Sequence, residues 1–156
     1  MKTKHDGVGG AKTFGTAGRE VSRFFPMDEL RYEWLEDQLA VCRLEPTSPV
    51  PDWLPSQGFT TVTRTTEELS VVCRAEAVPA GVKSEKGWAA LKVLGPLPFD
   101  AVGILNQFAA PLADANIPIM AIVTYDTDYV LVRTDQIEIA HTVLTRAGWV
   151  KVSAQA

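Results

Sequence analysis

The chain has 156 residues, 46% hydrophobic and 22% charged, with a formal net charge of −4. That length holds one ordinary domain or two very small ones, and the composition is that of a globular chain. The acidic balance, with no run of Lys and Arg to build a basic face, argues against nucleic acid as a partner, and no apolar run approaches the ~20 residues that span a bilayer.

Residues 1–27 include KHDGVGGAKTFGTAGRE, rich in Gly, Lys and Thr without a sustained apolar period, and are expected to form a disordered N-terminal segment. The Lys residues near the start have no apolar core behind them, so they do not make a secretory signal, and a cytoplasmic protein is expected. Residues 28–38 read as a short helix or an extended lead-in carrying Trp34 and Leu35. LAVCRL then alternates as a strand does, and the Pro-rich loop EPTSPVPDWLPSQG follows. Within it, residues 51–54 make at most one helical turn before Pro55. FTTVTRT and LSVVCR are two strands joined through Thr66, Glu67 and Glu68, and VKSEKGW leads into the strand LKVL.

The second half is more regular. Asp100 is the expected N-cap of a helix over residues 101–115, with Val102, Leu105, Phe108, Ala109 and Leu112 on one face. Pro111 interrupts that helix, and Asn116 suits the left-handed position after it. IPIMAIVTY is apolar on both faces and predicts a central strand, with DYVLVR returning antiparallel. Asp135 and Glu138 have capping-box spacing ahead of a second helix, whose stripe is Ile137, Ala140, Leu144 and Ala147 and whose end is Gly148. WVKV closes as a short strand. The order β-α-β-β-α-β is the ferredoxin-like arrangement, an α+β fold.

An internal echo supports two such units. VTRTTEELSVV aligns with VTYDTDYVLV, placing Thr63 on Thr124, Thr66 on Thr127 and Glu67 on Asp128, at an offset near the size of one unit. The expected division is a degenerate unit with a reduced helix at 28–86, a complete unit at 87–152, and a tail at 153–156.

Nothing in the chain assembles a catalyst. Cys42 and Cys73 are isolated in apolar runs and read as buried free thiols, with a disulfide as the alternative. With only His5 and His141 and no CxxC, a metal site has no support, and no cofactor is implied. His141 sits at the margin of a helical stripe and reads as structural. No Ser or Cys has a His partner, and GPLPFDAVG offers no basic residue to a phosphate, so no catalytic residue is assigned and the protein is not expected to be an enzyme.

FTTVTRTTEELSVVC, GWAALKVLGPLPFD and TYDTDYVLV together resemble the ACT domain, a small regulatory ligand-binding module, and within it the type shared with the CASTOR amino-acid sensors. The resemblance covers residues 39–150. It implies a sensor that binds a small molecule, an amino acid, between ACT units, and the alternative is a scaffold that has lost its ligand and acts through protein contacts. The sensors have four ACT units where this chain has two, so the resemblance also implies a homodimer acting on a further, regulated protein. Carried over residue by residue, it sets Phe99, Asp100, Ala101, Val102, Gly103 and Ile104 of the strand-to-helix loop against the ligand on one side. Thr124, Tyr125 and Asp128 of the hairpin face it on the other. Ala101 departs from the charged residue that would hold a basic side chain, which weighs against arginine as the ligand.

Elementary chemistry favours the same positions. Free amides at a helix start attract an α-carboxylate, Gly103 admits a ligand close to the backbone, and Asp128 can accept from an α-ammonium. Other readings stand beside these. Asp126 and Asp128 are common turn residues, Tyr125 suits a sheet core or an interface, and Asp100 suits a cap.

Overall fold

The computed structural model describes residues 30–153, so the disordered segment expected at 1–27 lies outside the described residues. Seven strands make a single curled sheet: β1 (Arg31–Leu44), β2 (Thr61–Arg64), β3 (Leu69–Arg74), β4 (Ser84–Val93), β5 (Met120–Val123), β6 (Asp128–Arg133) and β7 (Val150–Lys151). Two helices, α1 (Ile104–Asp114) and α2 (Ile137–Arg146), complete the α+β, ferredoxin-like fold. Along the sheet the order is β2-β3-β1-β4-β6-β5, with β7 added to β1. All neighbours pair antiparallel except β7, which runs parallel to the start of β1.

The lead-in to β1 is extended, not helical. Leu30 and Tyr32 are buried under the helices, and Tyr32 pairs with both Val93 and Lys151. β1 therefore occupies the place beside β4 that the last strand of a β-α-β-β-α-β series would take, and β7 is displaced outward by one strand. The expected boundary between residues 86 and 87 falls inside β4, which pairs with β1 on one side and β6 on the other.

The sheet is nearly symmetric about its centre. Leu39 of β1 faces Arg74 of β3, Trp88 of β4 faces Arg133 of β6, and Leu39 and Trp88 are register partners of each other. The outer hairpins match turn for turn. Thr65 N–H donates to Glu68 O and Thr124 N–H to Thr127 O, both at 2.9 Å, and each hydroxyl accepts from the amide three residues on. The pairing registers put Arg64 on Val123 and Leu69 on Asp128. This corrects the alignment read from sequence: Thr65, not Thr63, corresponds to Thr124, a constant offset of 59 residues through both strands. Shared threonines drew the sequence alignment two positions off, whereas the ladder fixes the register through the backbone.

The helices cover one face of the second half. Ile104, Phe108 and Leu112 of α1 and Ala140 and Leu144 of α2 pack on Tyr32, Leu91, Val93, Val130 and Val132. Tyr32 meets Phe108 and Trp149 edge to face, with ring centroids 5.9 and 6.4 Å away. Its hydroxyl lies 2.7 Å from His141 Nδ1, so His141 serves the core, and burial pushes the phenol pKa up to about 12. In the first half the same task falls to a loop. Trp53 and Leu54 pack on Ala40, Cys42, Leu69, Val71 and Cys73 after a single turn closed by Leu54 N–H to Pro51 O. Cys42 and Cys73 are free and buried, and burial raises both thiol pKa values, that of Cys42 to about 11.

Four local expectations fail. Helix α1 begins at Ile104, and its N-cap is Gly103 at φ 86°, not Asp100. That left-handed backbone cannot belong to a helix, so Val102 lies outside α1 with 42% of its surface exposed. The capping box of α2 does not form either, because Thr134–Gln136 make a 3-10 turn and Gln136 becomes the N-cap without a side-chain bond. β5 is an edge strand, not a central one, with Met120 and Ile122 half-buried and Ala121 and Val123 exposed. By contrast Asn116, at φ 56°, takes the left-handed conformation expected after α1, and Gly148, at φ 96°, follows the end of α2.

Candidate functional site

The connection from β4 to α1 and the turn from β5 to β6 meet beside the start of α1. Two hydrogen bonds, one backbone to backbone and one side chain to backbone, draw them together. Leu97 N–H donates to Asp126 O at 2.8 Å, and the buried Thr127 hydroxyl donates to Val93 O at the end of β4. Thr124 Oγ1 also donates to Thr127 O at 2.6 Å, which stiffens the turn. Gly95 lies tight against it, since a Cβ there would stand 2.6 Å from Asp126 O.

Between these walls lies a cleft of about 430 Å³. Of the residues singled out in the sequence, Phe99, Ala101, Gly103, Ile104, Thr124, Tyr125 and Asp128 line it together. Asp100 and Val102 do not: Asp100 belongs to the turn that Ala101 N–H closes on Pro98 O at 3.0 Å, and Val102 follows that turn ahead of Gly103. Sequence reasoning missed Leu97, Pro98, Leu105, Asn106, Val123 and Thr127 as wall residues, and weighed Asp126 only as a turn residue. The two prolines flanking Leu97 were the available signal, because each fixes its own φ and restricts the residue before it.

The cleft has two chemically different sides. On the helix side, among the described residues, no side chain caps α1, and Gln107 N–H is the first to bond back, to Gly103 O at 2.9 Å. The amides of Ile104, Leu105 and Asn106 therefore have no acceptor within the helix and lie at the positive end of its dipole. On the hairpin side stands Asp128, half-buried, its pKa raised by loss of water. Phe99 and Tyr125, each 79% exposed, meet edge to face over the mouth with ring centroids 5.0 Å apart. Among the described residues, no group of three or more His, Cys, Asp or Glu comes together to hold a metal, and no helix is long and apolar enough to cross a membrane.

The corresponding place in the first half is occupied by the protein's own side chains. Arg64 donates to Pro46 O and, at 2.7 Å, to Ser48 O, tying the β1–β2 loop to its hairpin. Arg43 pairs with Glu68 at 3.1 Å and donates to Glu67 O at 3.0 Å.

Comparison with known families matches residues 83–146 to an ACT domain, and residues 37–81 to a separate family described as an N-terminal domain. No curated protein matches the chain. Among solved structures, a protein from Agrobacterium tumefaciens is 31% identical, over 81% of this chain and 95% of that one, with a TM-score of 0.76. A Vibrio cholerae protein of unknown function, titled a possible transport protein, is 23% identical over 78% of this chain and 92% of its own, with a TM-score of 0.66. The fold also recurs in the aspartate kinase of Clostridium acetobutylicum, titled an allosteric enzyme, at 16% identity over 72% of this chain and 33% of that one, with a TM-score of 0.53.

Proposed function

This chain belongs to one family with the Agrobacterium tumefaciens protein and carries an ACT domain over residues 83–146, and on that premise we propose that it is a regulatory protein that binds an amino acid. The observation that carries the reading is the cleft with free helix amides on one wall and Asp128 on the other. Those are complementary to the two charges of a zwitterion held a few ångströms apart. The α-carboxylate meets the amides near Gly103 and Ile104, Asp128 accepts from the α-ammonium, and Thr124 adds a polar contact. A similar fold in an aspartate kinase titled an allosteric enzyme supports a regulatory role over a catalytic one.

The same reading takes the near-symmetric sheet as two ACT-like units that share their central strands, β1 and β4, the first unit having lost its helices. It places the chain in the CASTOR-type subgroup, in the cytoplasm, as a homodimer that passes a change of shape or association to a regulated protein.

A thermal-shift and calorimetric screen of the free amino acids tests it. A specific binder present at a hundredfold excess over Kd stabilises the protein by about 2.7 kcal/mol. Asp128→Asn keeps the shape and removes the charge, so affinity for the identified ligand falls by about 1.5–3 kcal/mol, roughly ten- to hundredfold. If no amino acid binds at millimolar concentration, the protein is a ligand-free scaffold instead. If Asp128→Asn binds as tightly as the parent, Asp128 is not the ammonium partner.

A further inference from the structure

Resting on the reading of this cleft as an amino-acid site, we propose that it selects ligands by their side chain, accepting neutral apolar ones and rejecting acidic ones. The wall on the loop and helix side is formed mainly by Leu97, Pro98, Ala101, Ile104 and Leu105, with Asn106 as its one polar side chain and no charged one among the described residues. The charged lining residues are Asp126 and Asp128, both acidic. An acidic side chain would find no counter-charge among the described lining residues and would enter beside Asp126, a like charge. A basic one would find Asp128 already engaged by the ammonium and Asp126 exposed at the rim, where water and salt screen it.

The aromatic pair gives the selection its positive side. Phe99 and Tyr125 come from opposite walls, touch at 5.0 Å with planes 78° apart, and leave most of both rings in water. Exposed aromatic surface on a small domain is unfavourable unless something covers it. A hydrocarbon or aromatic side chain seated beneath the pair removes water from both rings at once, whereas a charged terminus gains nothing there.

Calorimetry on the full chain with alanine, leucine, phenylalanine, lysine and glutamate decides the matter. Leucine and phenylalanine are expected to bind about tenfold or more tightly than alanine, with glutamate the weakest. Phe99→Ala and Tyr125→Ala change exposed side chains outside the core, and each is expected to shrink the preference for phenylalanine over alanine by about tenfold. Lysine or glutamate binding more tightly than phenylalanine, or an unchanged preference in both variants, overturns the selection while leaving an amino-acid site in place. Failure of all five ligands to bind at millimolar concentration overturns the site itself and this inference with it.

Discussion

Asp128 is the residue where stability and binding pull in opposite directions. It sits at the start of β6 with its carboxyl partly withdrawn from water, which raises its pKa above the ordinary carboxylate value of about 3.9. A raised folded-state pKa means that the folded chain holds the proton more tightly than the unfolded one. The ionised form therefore costs stability once pH exceeds the folded-state pKa, and the cost disappears below the unfolded-state value. Asp128→Asn removes the charge without changing the shape. The ligand-free variant should melt at or above the parent's temperature at pH 7, and the difference should shrink to nothing as pH falls towards 3. Melting curves across that range check the sign, and a variant that melts lower at pH 7 would mean that the carboxylate holds the hairpin. The same shift makes Asp128 lose its charge earlier on acidification than an exposed Asp would, so ligand affinity should weaken in step with its protonation.

At the scale of elements, the cleft depends on one loop docking on one turn. Gly95 marks the tightest point of that docking. A Cβ 2.6 Å from the Asp126 carbonyl oxygen must push the two backbones apart and stretch the Leu97–Asp126 hydrogen bond. Gly95→Ala should cost about 1–3 kcal/mol in chemical denaturation, since overpacking against backbone has no flexible side chain to absorb it. It should also weaken any ligand that spans the two walls. This contact separates what was legible in the sequence from what was not. Strand and helix identities in the second half followed from period and turn chemistry, as the Asp128–Arg133 strand and the stripe of Ala140 and Leu144 illustrate. The start of α1 did not, because Asp100 is a good local cap, and only the loop's docking on the turn puts Gly103 into the left-handed region three residues later. β5 was misplaced for a related reason. The apolar run that leads into it serves two different surfaces, Ile117 under the helices and Met120 and Ile122 of β5 on the opposite sheet face, and a run of that kind reads as a central strand. Phe99, Gly103, Tyr125 and Asp128 were legible as residues of one cleft because a family likeness named their segments. Leu97, Leu105 and Asn106 were not, since their place in the wall follows from the register of the loop.

For the whole molecule, the near-symmetry of the sheet and the asymmetry of its two ends lead to a count. Both hairpins carry the same turn geometry, yet their surroundings differ, and the second borders the cleft beside the start of α1. In the first half Arg64 and Arg43 fasten loop and turn with their own donors, and the loop supplies Trp53 where a helix would stand. A ligand there would have to replace several hydrogen bonds, one of them charge-paired, before making any of its own. One ligand per chain is therefore expected. The sheet face away from the helices sets how many chains act together. Val41, Phe59, Trp88, Met120, Ile122 and Tyr129 are only partly covered there, around Leu39, Val72, Ala90 and Leu131. An apolar sheet face of this kind is stabilised by a second layer, and a second copy of the chain supplies one by symmetry. Light scattering at tens of micromolar should give the mass of two chains, and Ile122→Glu, which puts a charge into that face, should return it to one. Calorimetry on the same sample should then give one ligand per chain and two per particle. A monomeric parent would remove the dimer and leave the single site standing. Two ligands per chain would mean that the arginine fastening opens and that both halves bind.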